Sequence, residues 1–181
     1  MISKPEKIIK RIIKAVGLGQ SVLVFGDWHE DLIKGIKEKQ NILSFVEDSL
    51  NKSSFKDNSF TRIIADYNLP VFNNEHFFFN EARRLLLPTG IIIVSANCKD
   101  GIFEKIMKLF KKDYIKEEDL KKIKPKILQD QIHDHGFLID GYYGYPGGHL
   151  LMMAQIINKE VTTLFTSEKQ ETILIDCSGR S

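Results

Sequence analysis

Short apolar runs separated by helix-sized segments constrain the fold of this chain more than any other feature. The run Ser21–Phe25 is apolar from its second residue onward instead of alternating with polar residues, which is typical of a strand covered on both faces. Three similar runs occupy 41–46, 62–66 and 91–96. Strands that alternate with helices predict an α/β domain with a three-layer sheet. Ligands of such sheets bind beyond the carboxyl ends of the strands.

The N-terminal segment predicts an amphipathic helix. Apolar residues lie on one stripe, and lysines and Arg11 fill the opposite face: the stripe consists of Ile8, Ile9, Ile12, Ile13 and Val16. Pro5 suits a first helical turn and Gly17 a helix end. The basic face is interpreted as solvated, with phosphate binding as the alternative.

The remaining elements are predicted from periodicity and turn formers. A helix over 28–39 follows Gly26-Asp27, and a helix over 74–87 ends at Pro88-Thr89-Gly90. A helix is predicted over 102–112, and the segment 114–131 is predicted to be partly helical with a break at Pro125. The segments 137–142 and 149–156 predict a hairpin. The segments 161–165 and 172–176 are either edge strands or part of a tail that orders on a partner.

Length and composition favour one soluble domain, predicted over 1–157, with an extension over 158–181. Of 181 residues, 43% are hydrophobic and 28% charged, an ordinary globular balance. No apolar run is long enough to span a bilayer, and the N-terminus lacks the apolar core of a signal peptide. Two cysteines predict a reducing, cytoplasmic setting. A net charge of +2 does not indicate nucleic acid.

Three stretches in order resemble class I S-adenosylmethionine-dependent methyltransferases. The letters F-K-D-N-S-F at 55–60 are similar to that family's P-F-x-D-N-S-F-D segment, and L-L-P-T-G at 86–90 is similar to its L-x-P-G-G turn. Gly136-Phe137 and the following hairpin are similar to its closing elements. The resemblance covers about 21–156. It implies a Rossmann-like, mostly parallel sheet with a C-terminal antiparallel hairpin, and S-adenosylmethionine as the cofactor.

The loop after the first strand departs from the family pattern. The family's acid and G-x-G-x-G positions match Val24, Gly26, Trp28 and Glu30, so only Gly26 is retained. Because glycines let the backbone approach the cofactor, Trp28 and Glu30 are expected to fill that space. Glu30 and Asp31 would also place negative charge near the cofactor's carboxylate. The favoured alternative is structural: Asp27 and Glu30 form a capping box at the start of the helix.

The chain is also short in one region. Only 35 residues, 26–60, separate Phe25 from Thr61, whereas two helices and two strands need roughly 45. One βα unit is therefore expected to be missing. If 41–46 is the family's second strand, Glu47 is the ribose acid. If it is the third strand, which the spacing to Phe55 favours, Asp48 lies beside the adenine.

Two polar positions follow the strand at 62–66. The resemblance implies that Asp66 orients the substrate near the transferred methyl group; the equally weighted alternative is that it caps the next turn. Asn68-Leu69-Pro70 is similar to the N-L-P-[YF] motif of adenine dimethyltransferases. However, Val71 stands where the aromatic residue belongs, so a simple turn is favoured.

The remaining candidates point to no catalytic set. His133 and His135 lack a third ligand at metal-binding spacing, so both are predicted to be exposed loop histidines and no metal is expected. No nucleophile–base pair is recognisable. Phe77, Phe78 and Phe79 cannot all face one core, because successive helical positions are about 100° apart. At least one is expected near a groove, a lid or a partner.

These observations lead to one interpretation and two alternatives. The leading one is a methyltransferase-like pseudoenzyme, a binding or scaffold module with an eroded cofactor site around Gly26, Asp27, Asp48 and Asp66. Its partner is an unidentified small molecule or protein, and a homodimer is left open. The first alternative is an active methyltransferase with an atypical pocket. The second is the shortened domain of anamorsin-type iron–sulfur assembly proteins, of which Cys98 and Cys177 would match only the N-terminal module.

Overall fold

The computed structural model of the chain describes residues 4–46, 55–98, 122–145 and 148–157. The helices are α1 (Glu6–Val16), α2 (Glu30–Lys37), α3 (Glu75–Leu85) and α4 (Pro125–Asp134), with a short 3-10 helix at Pro70–Asn74. The strands are β1 (Ser21–Phe25), β2 (Ile42–Val46), β3 (Phe60–Asp66), β4 (Leu86–Cys98), β5 (Lys122–Ile123), β6 (Phe137–Tyr145) and β7 (His149–Ile156).

All of these strands belong to one mixed sheet with the order β2-β1-β3-β4-β7-β6, and β5 pairs with the end of β4. The pairs β1–β2, β1–β3 and β3–β4 are parallel, whereas β4–β7 and β6–β7 are antiparallel. The predicted α/β fold with a closing antiparallel hairpin is therefore confirmed.

The pairing of β2 identifies which strand of a doubly wound sheet it corresponds to. Such sheets have the order 3-2-1-4-5, so their first strand lies between the second and the fourth. Here β1 lies between β2 and β3, which therefore occupy the second and fourth positions. The preference for β2 as a third strand is wrong in this respect, because β2 pairs directly with β1. The alternative in which Glu47 follows the second strand is favoured, although 47–54 lie outside the described residues.

Most predicted elements are confirmed, with shifted ends. β1 and β7 have the predicted bounds, and α1 ends at Val16 before Gly17, whose φ is +81°. The turn Pro88-Thr89-Gly90 lies inside β4 as an irregularity, since pairing moves from Phe60–Leu86 to Arg62–Ile91. Pro125 begins α4 instead of breaking a helix. The predictions for 102–112, 161–165 and 172–176 lie outside the described residues, and the domain boundary at 157 stays a prediction.

Apolar clusters cover both faces of the sheet. On one face, α1 and α2 pack with Trp28 over alternate residues of β1, and all of these side chains are buried. On the other face, Phe25 packs with aromatic residues of α3 and the 3-10 helix: the centroids of Phe25 and Phe78 are 5.4 Å apart. Phe78 and Phe79 are fully buried, whereas Phe77 is 39% exposed. The prediction that the three phenylalanines do not share one core is confirmed.

The family-like stretch before β3 is held by the end of α3. The N–H groups of Asn58 and Ser59 donate to the carbonyls of Arg84 and Leu85 at 3.0 and 2.8 Å. Asn58 has a φ of +53°, a conformation that asparagine tolerates better than most residues. The Arg84 side chain also donates to the Phe55 carbonyl at 3.0 Å and contacts Asp57. The D-N-S-F letters therefore have a local structural role in docking this segment.

Candidate functional site

The parallel strands β1, β3 and β4 end at the same edge of the sheet, where a doubly wound fold binds its ligand. The residues at this edge are the loop Gly26–His29 after β1, Asp66 and Asn68 after β3, and Ser95 and Asn97 of β4. Lys4, which precedes α1, reaches the same edge.

Gly26 has the geometry expected of a loop glycine. Its φ is +84°, which favours glycine over residues with a Cβ. Its N–H donates to the carbonyl of Val46 at 2.8 Å and so ties the end of β1 to the end of β2. Gly26 therefore closes the β1–β2 pair at the strand ends.

Trp28 points into the core. Its indole is 4% exposed, and its Nε1 donates to the carbonyl of Phe25 at 2.7 Å. The ring packs in the cluster that contains Ile12 of α1 and Leu32 of α2. The expectation that Trp28 fills the space beyond the strands is therefore wrong, because the indole gains more by burial between the helices and the sheet.

The start of α2 differs from the predicted capping box. The N-cap is His29, whose Nδ1 accepts from the N–H of Asp31 at 3.3 Å. Asp27 lies two residues before the cap and is exposed, so its proposed capping role is wrong. Glu30 and Asp31 are exposed in the first turn, where carboxylates interact favourably with the helix dipole. The same charges make this helix start unfavourable for an anionic ligand.

Asp66 is the centre of a buried polar cluster. Its Oδ2 lies 2.7 Å from the Lys4 ammonium and also accepts from the hydroxyl of Ser95. Its Oδ1 accepts from the backbone N–H and the side-chain amide of Asn68 at 2.9 and 2.6 Å. A carboxylate has about four acceptor positions. Protein groups therefore occupy the full acceptor capacity of Asp66, and the capping of the next turn is among these contacts.

Lys4 was not identified from the sequence. Its side chain is 3% exposed, and its ammonium also donates to Asn97 Oδ1 at 3.2 Å. The same oxygen lies 2.9 Å from His149 Nδ1. A buried ion pair is stable only when further hydrogen bonds compensate for desolvation, and Asn68, Ser95 and Asn97 provide them here. Nothing in the sequence distinguishes Lys4 from the other N-terminal lysines, because its partner lies 62 residues away.

Asn68 continues into a turn. The N–H of Leu69 donates to the Asp66 carbonyl at 3.0 Å, and Pro70 begins the 3-10 helix. These contacts agree with the simple-turn interpretation of Asn68-Leu69-Pro70. The Asn68 Oδ1 is buried and has no hydrogen-bond partner among the described residues. It is an available acceptor beside the Asp66 cluster.

A second polar cluster joins α3 to α4. His135 Nδ1 lies 2.6 Å from the carbonyl of Gln131, and its Nε2 lies 2.7 Å from His76 Nδ1. Because a carbonyl only accepts, His135 carries its proton on Nδ1 when neutral, and His76 donates to it. His135 is buried and stacks on Phe79, so the expectation of an exposed loop histidine is wrong for it. His133 is exposed as expected, but it lies in helix α4 and not in a loop. The described residues hold no group of three or more potential metal ligands.

Tyr67, at the end of β3, contributes a buried phenol near this second cluster. Burial raises the pKa of Tyr67 above its ordinary value of about 10, and the carboxylate of Glu75 acts in the same direction. A side-chain hydrogen bond with Gln131 opposes both effects. Tyr67 therefore stays neutral over the physiological range.

A mixed-charge cleft of about 570 Å³ lies between α1 and α2. Its apolar lining includes Ile9, Ile13 and Gly35, and the two helices approach closely there, since a Cβ on Gly35 would lie 2.3 Å from Ile13 Cδ1. Lysines and carboxylates of both helices surround this lining. The cleft extends to Lys4 and His29, so it adjoins the strand-end site.

The described residues match S-adenosylmethionine only in part. Gly26 allows close backbone approach, and the inward position of Trp28 leaves the space beyond β1 free of its ring. By contrast, the acidic start of α2 disfavours the cofactor's carboxylate, and Asp66 already binds a lysine. Of the four residues expected at the cofactor, Gly26 and Asp66 lie at the strand ends, Asp27 is exposed beside them, and Asp48 lies outside the described residues.

The sheet order and the strand-end position of the polar cluster define a doubly wound α/β protein with its candidate site beyond the carboxyl ends of the strands. A family model described as a methyltransferase domain matches residues 15–94. No curated protein matches the sequence. This match spans 80 of the 181 residues, and the solved structures described next share the fold.

Solved structures share the fold at low sequence identity. The 1,6-didemethyltoxoflavin-N1-methyltransferase of Burkholderia thailandensis, solved with 1,6-didemethyltoxoflavin and S-adenosylhomocysteine, is 13% identical with a TM-score of 0.63, over 84% of this chain and 78% of that one. A S-adenosylmethionine-dependent methyltransferase from Archaeoglobus fulgidus is 9% identical with a TM-score of 0.63, over 82% and 91%.

A third similar structure is a protein complex. It joins the Trm112 methyltransferase activator of Haloferax volcanii to a putative methyltransferase, and is 12% identical with a TM-score of 0.54, over 82% of this chain and 88% of that one. At such identities these likenesses establish the fold. None of the helices among the described residues is long and apolar enough to cross a membrane.

Proposed function

We propose that this chain is a methyltransferase-like binding or scaffold module in which S-adenosylmethionine no longer binds and no methyl group is transferred. The observation that carries this proposal is the buried Lys4–Asp66 pair, 2.7 Å between charged atoms. The resemblance implies that the end of this strand lies near the transferred methyl group. In this chain, the positive charge beside the Asp66 carboxylate is the ammonium of Lys4.

Two further features support the loss of cofactor binding. Glu30 and Asp31 lie in the first turn of α2, where an anion would otherwise use the free N–H groups. Among the described residues, no strand pairs with the outer side of β2, where the order 3-2-1-4-5 places a strand beside the expected adenosine pocket. Both features weaken contacts that a nucleoside cofactor needs.

The alternative is an active methyltransferase with an atypical pocket. The inward position of Trp28 favours it, since the ring does not lie beyond the end of β1. Gly26, Asp48 and Asp66 would then surround the cofactor, and catalysis would rely on orienting the substrate instead of on a strong base.

The proposed partner is a small molecule or a protein. The cleft between α1 and α2 provides an apolar floor with charges of both signs around it, which suits a zwitterion or a short polypeptide segment. The two cysteines fit a reducing, cytoplasmic setting, and Cys98 is buried.

Calorimetric titration with S-adenosylmethionine and S-adenosylhomocysteine tests the proposal. We expect no saturable heat from the wild-type chain at ligand concentrations up to about 1 mM, which corresponds to a binding free energy weaker than about 4 kcal/mol. Micromolar binding would overturn the proposal, and methyl incorporation that Asp66→Asn abolishes would establish the enzyme.

A matched pair of lysine variants separates the causes. Lys4→Met removes the buried ammonium, whereas Lys10→Met removes the same charge from an exposed pair with Glu6 on α1. Binding gained in Lys4→Met alone would attribute the exclusion of the cofactor to the buried pair. Its absence from both variants would attribute the exclusion to the acidic start of α2 and the shortened sheet.

A further inference from the structure

Strand β2 presents large apolar side chains at the end of the sheet. Ile42 is 73% exposed and Phe45 is 48% exposed. They belong to opposite faces, because successive strand residues alternate. Among the described strands, β1 is the only one that pairs with β2. The outer edge of β2 therefore has no strand partner among the described residues, and it exposes apolar side chains on both faces of the sheet.

The doubly wound order places another strand at this edge. In the order 3-2-1-4-5, a third strand pairs with the outer side of the second, and a helix covers the junction. Among the described residues no strand takes that position, and Ile42 and Phe45 of β2 are exposed.

The opposite edge of the sheet has the features that prevent strand pairing. Strand β6 carries the charged Asp140 and the flexible Gly141 and Gly144, and its register shifts between Ile139 and Gly141. Charges and bulges are the usual means of blocking edge-to-edge association. Strand β2, with the sequence I-L-S-F-V, has no charge, no proline and no bulge in its pairing with β1.

We propose that β2 pairs antiparallel with β2 of a second copy of this chain, about a two-fold axis at Ser44. In this register Ile42 lies opposite Val46 of the second copy, and Leu43 opposite Phe45. Each pair joins two apolar side chains, which stabilises antiparallel strands. An isologous interface requires such self-complementarity, and the central position of Ser44 allows all five residues to pair.

The charges of α2 fit the same two-fold axis. A two-fold axis perpendicular to the sheet leaves both α2 helices on the same face of the joined sheet. The two helices then run antiparallel on either side of the axis. The start of α2 is acidic, with Glu30 and Asp31, and the basic Lys34 and Lys37 lie in its last turn. The acidic start of one helix therefore lies beside the basic end of the other, an attractive arrangement.

The interface is small. A pairing of five residues with flanking side chains lies below the roughly 1,200 Å² that stable complexes bury. We therefore expect a reversible dimer with a dissociation constant of about micromolar order.

Cysteine cross-linking tests the register. In a Cys177→Ser background, Ser44→Cys places two thiols opposite each other at a Cα separation of about 4.5–5.5 Å, within the roughly 4.4–6.8 Å that a disulfide spans. Ile42→Cys is the matched control: it is more exposed, yet it would lie opposite Val46. Mild oxidation should cross-link Ser44→Cys at least about ten times faster than Ile42→Cys. Equal rates, or no cross-linking of Ser44→Cys, would overturn the proposal.

Sedimentation of the otherwise wild-type chain tests the dimer itself. Phe45→Lys should shift the monomer–dimer equilibrium to monomer, because it places a charge in the apolar pair. Leu138→Lys, on the opposite edge and 50% exposed, should leave the equilibrium unchanged. A wild-type chain that stays monomeric to about 0.5 mM, or a dimer insensitive to Phe45→Lys, would refute the pairing. Because no cofactor enters these measurements, they are independent of the proposed function.

Discussion

Asp66 and Trp28 are the two residues whose surroundings most affect the functional interpretation. Asp66 accepts from Lys4, Ser95 and Asn68, so the residue that the resemblance would place beside a substrate is here bound by the protein itself. Trp28 points inward and donates to the Phe25 carbonyl. The proposed loss of cofactor binding therefore depends on the Lys4–Asp66 pair and the acidic helix start instead of on a bulky ring.

Tyr67, next to Asp66, supplies a pH-dependent prediction. Its pKa is raised above about 10 by burial in the folded state, so the folded chain keeps a proton that the unfolded chain loses. Its stabilising contribution is complete below pH 10 and is lost as the pH rises through the raised value. Above pH 10, the free energy of unfolding of the wild type should fall relative to Tyr67→Phe, by at most about 1.4 kcal/mol per pH unit. Urea unfolding of both proteins at pH 8, 10 and 11 measures this difference.

The comparison at pH 8 serves as the control for that prediction. There the two proteins differ only by the lost hydroxyl contacts, and this offset should stay constant up to pH 10. A constant difference up to pH 11 would show that the phenol of Tyr67 titrates alike in both states.

At the scale of elements, Arg84 docks the segment before β3 onto the end of α3. Its guanidinium donates to both Glu81 oxygens at 2.8 and 2.5 Å, to the Phe55 carbonyl, and to Asp57. These carboxylates raise the pKa of Arg84 further above its ordinary value. The two-oxygen contact with Glu81 requires the planar fork of arginine.

Replacement of the Arg84 guanidinium should destabilise the folded protein. Arg84→Lys keeps the charge but cannot donate to both Glu81 oxygens and to Phe55 at once, so the free energy of unfolding should fall by about 1–2 kcal/mol. The neighbouring Arg83→Lys is the control, because Arg83 is exposed and donates to the His135 carbonyl at the long distance of 3.4 Å. Chemical denaturation of the three proteins decides the point; equal losses in both variants would argue against a docking role for Arg84.

For the whole molecule, the two apolar clusters lie on opposite faces of the same strands. Both clusters pack against the same sheet, so disruption of one cluster would expose strands that also support the other. We therefore expect the chain to unfold as one cooperative unit.

Two spectroscopic probes test this cooperativity. Trp28 is the only tryptophan, and it reports on the cluster beneath α1 and α2. Its fluorescence and the far-ultraviolet circular dichroism should give the same midpoint in urea, and Phe78→Leu on the opposite face should lower both midpoints equally. A fluorescence transition that precedes the loss of secondary structure would reveal two independent units.

The sequence by itself determined the principal strands and the sheet class. Continuous apolar runs, glycines and prolines act locally, so β1 and α1 could be predicted almost to the residue. The missing βα unit, inferred from the count of residues between Phe25 and Thr61, stays a prediction, because 47–54 lie outside the described residues.

Only the tertiary structure decided which groups meet at the strand ends. Lys4 and Asp66 are far apart in the chain and are joined by the packing of α1 against the sheet. The sequence also could not decide whether Trp28 faces the core or the ligand side, because a large amphipathic ring suits either environment until the packing of α1 and α2 provides a buried position. The site is therefore decided by long-range packing, whereas the fold follows from local patterns.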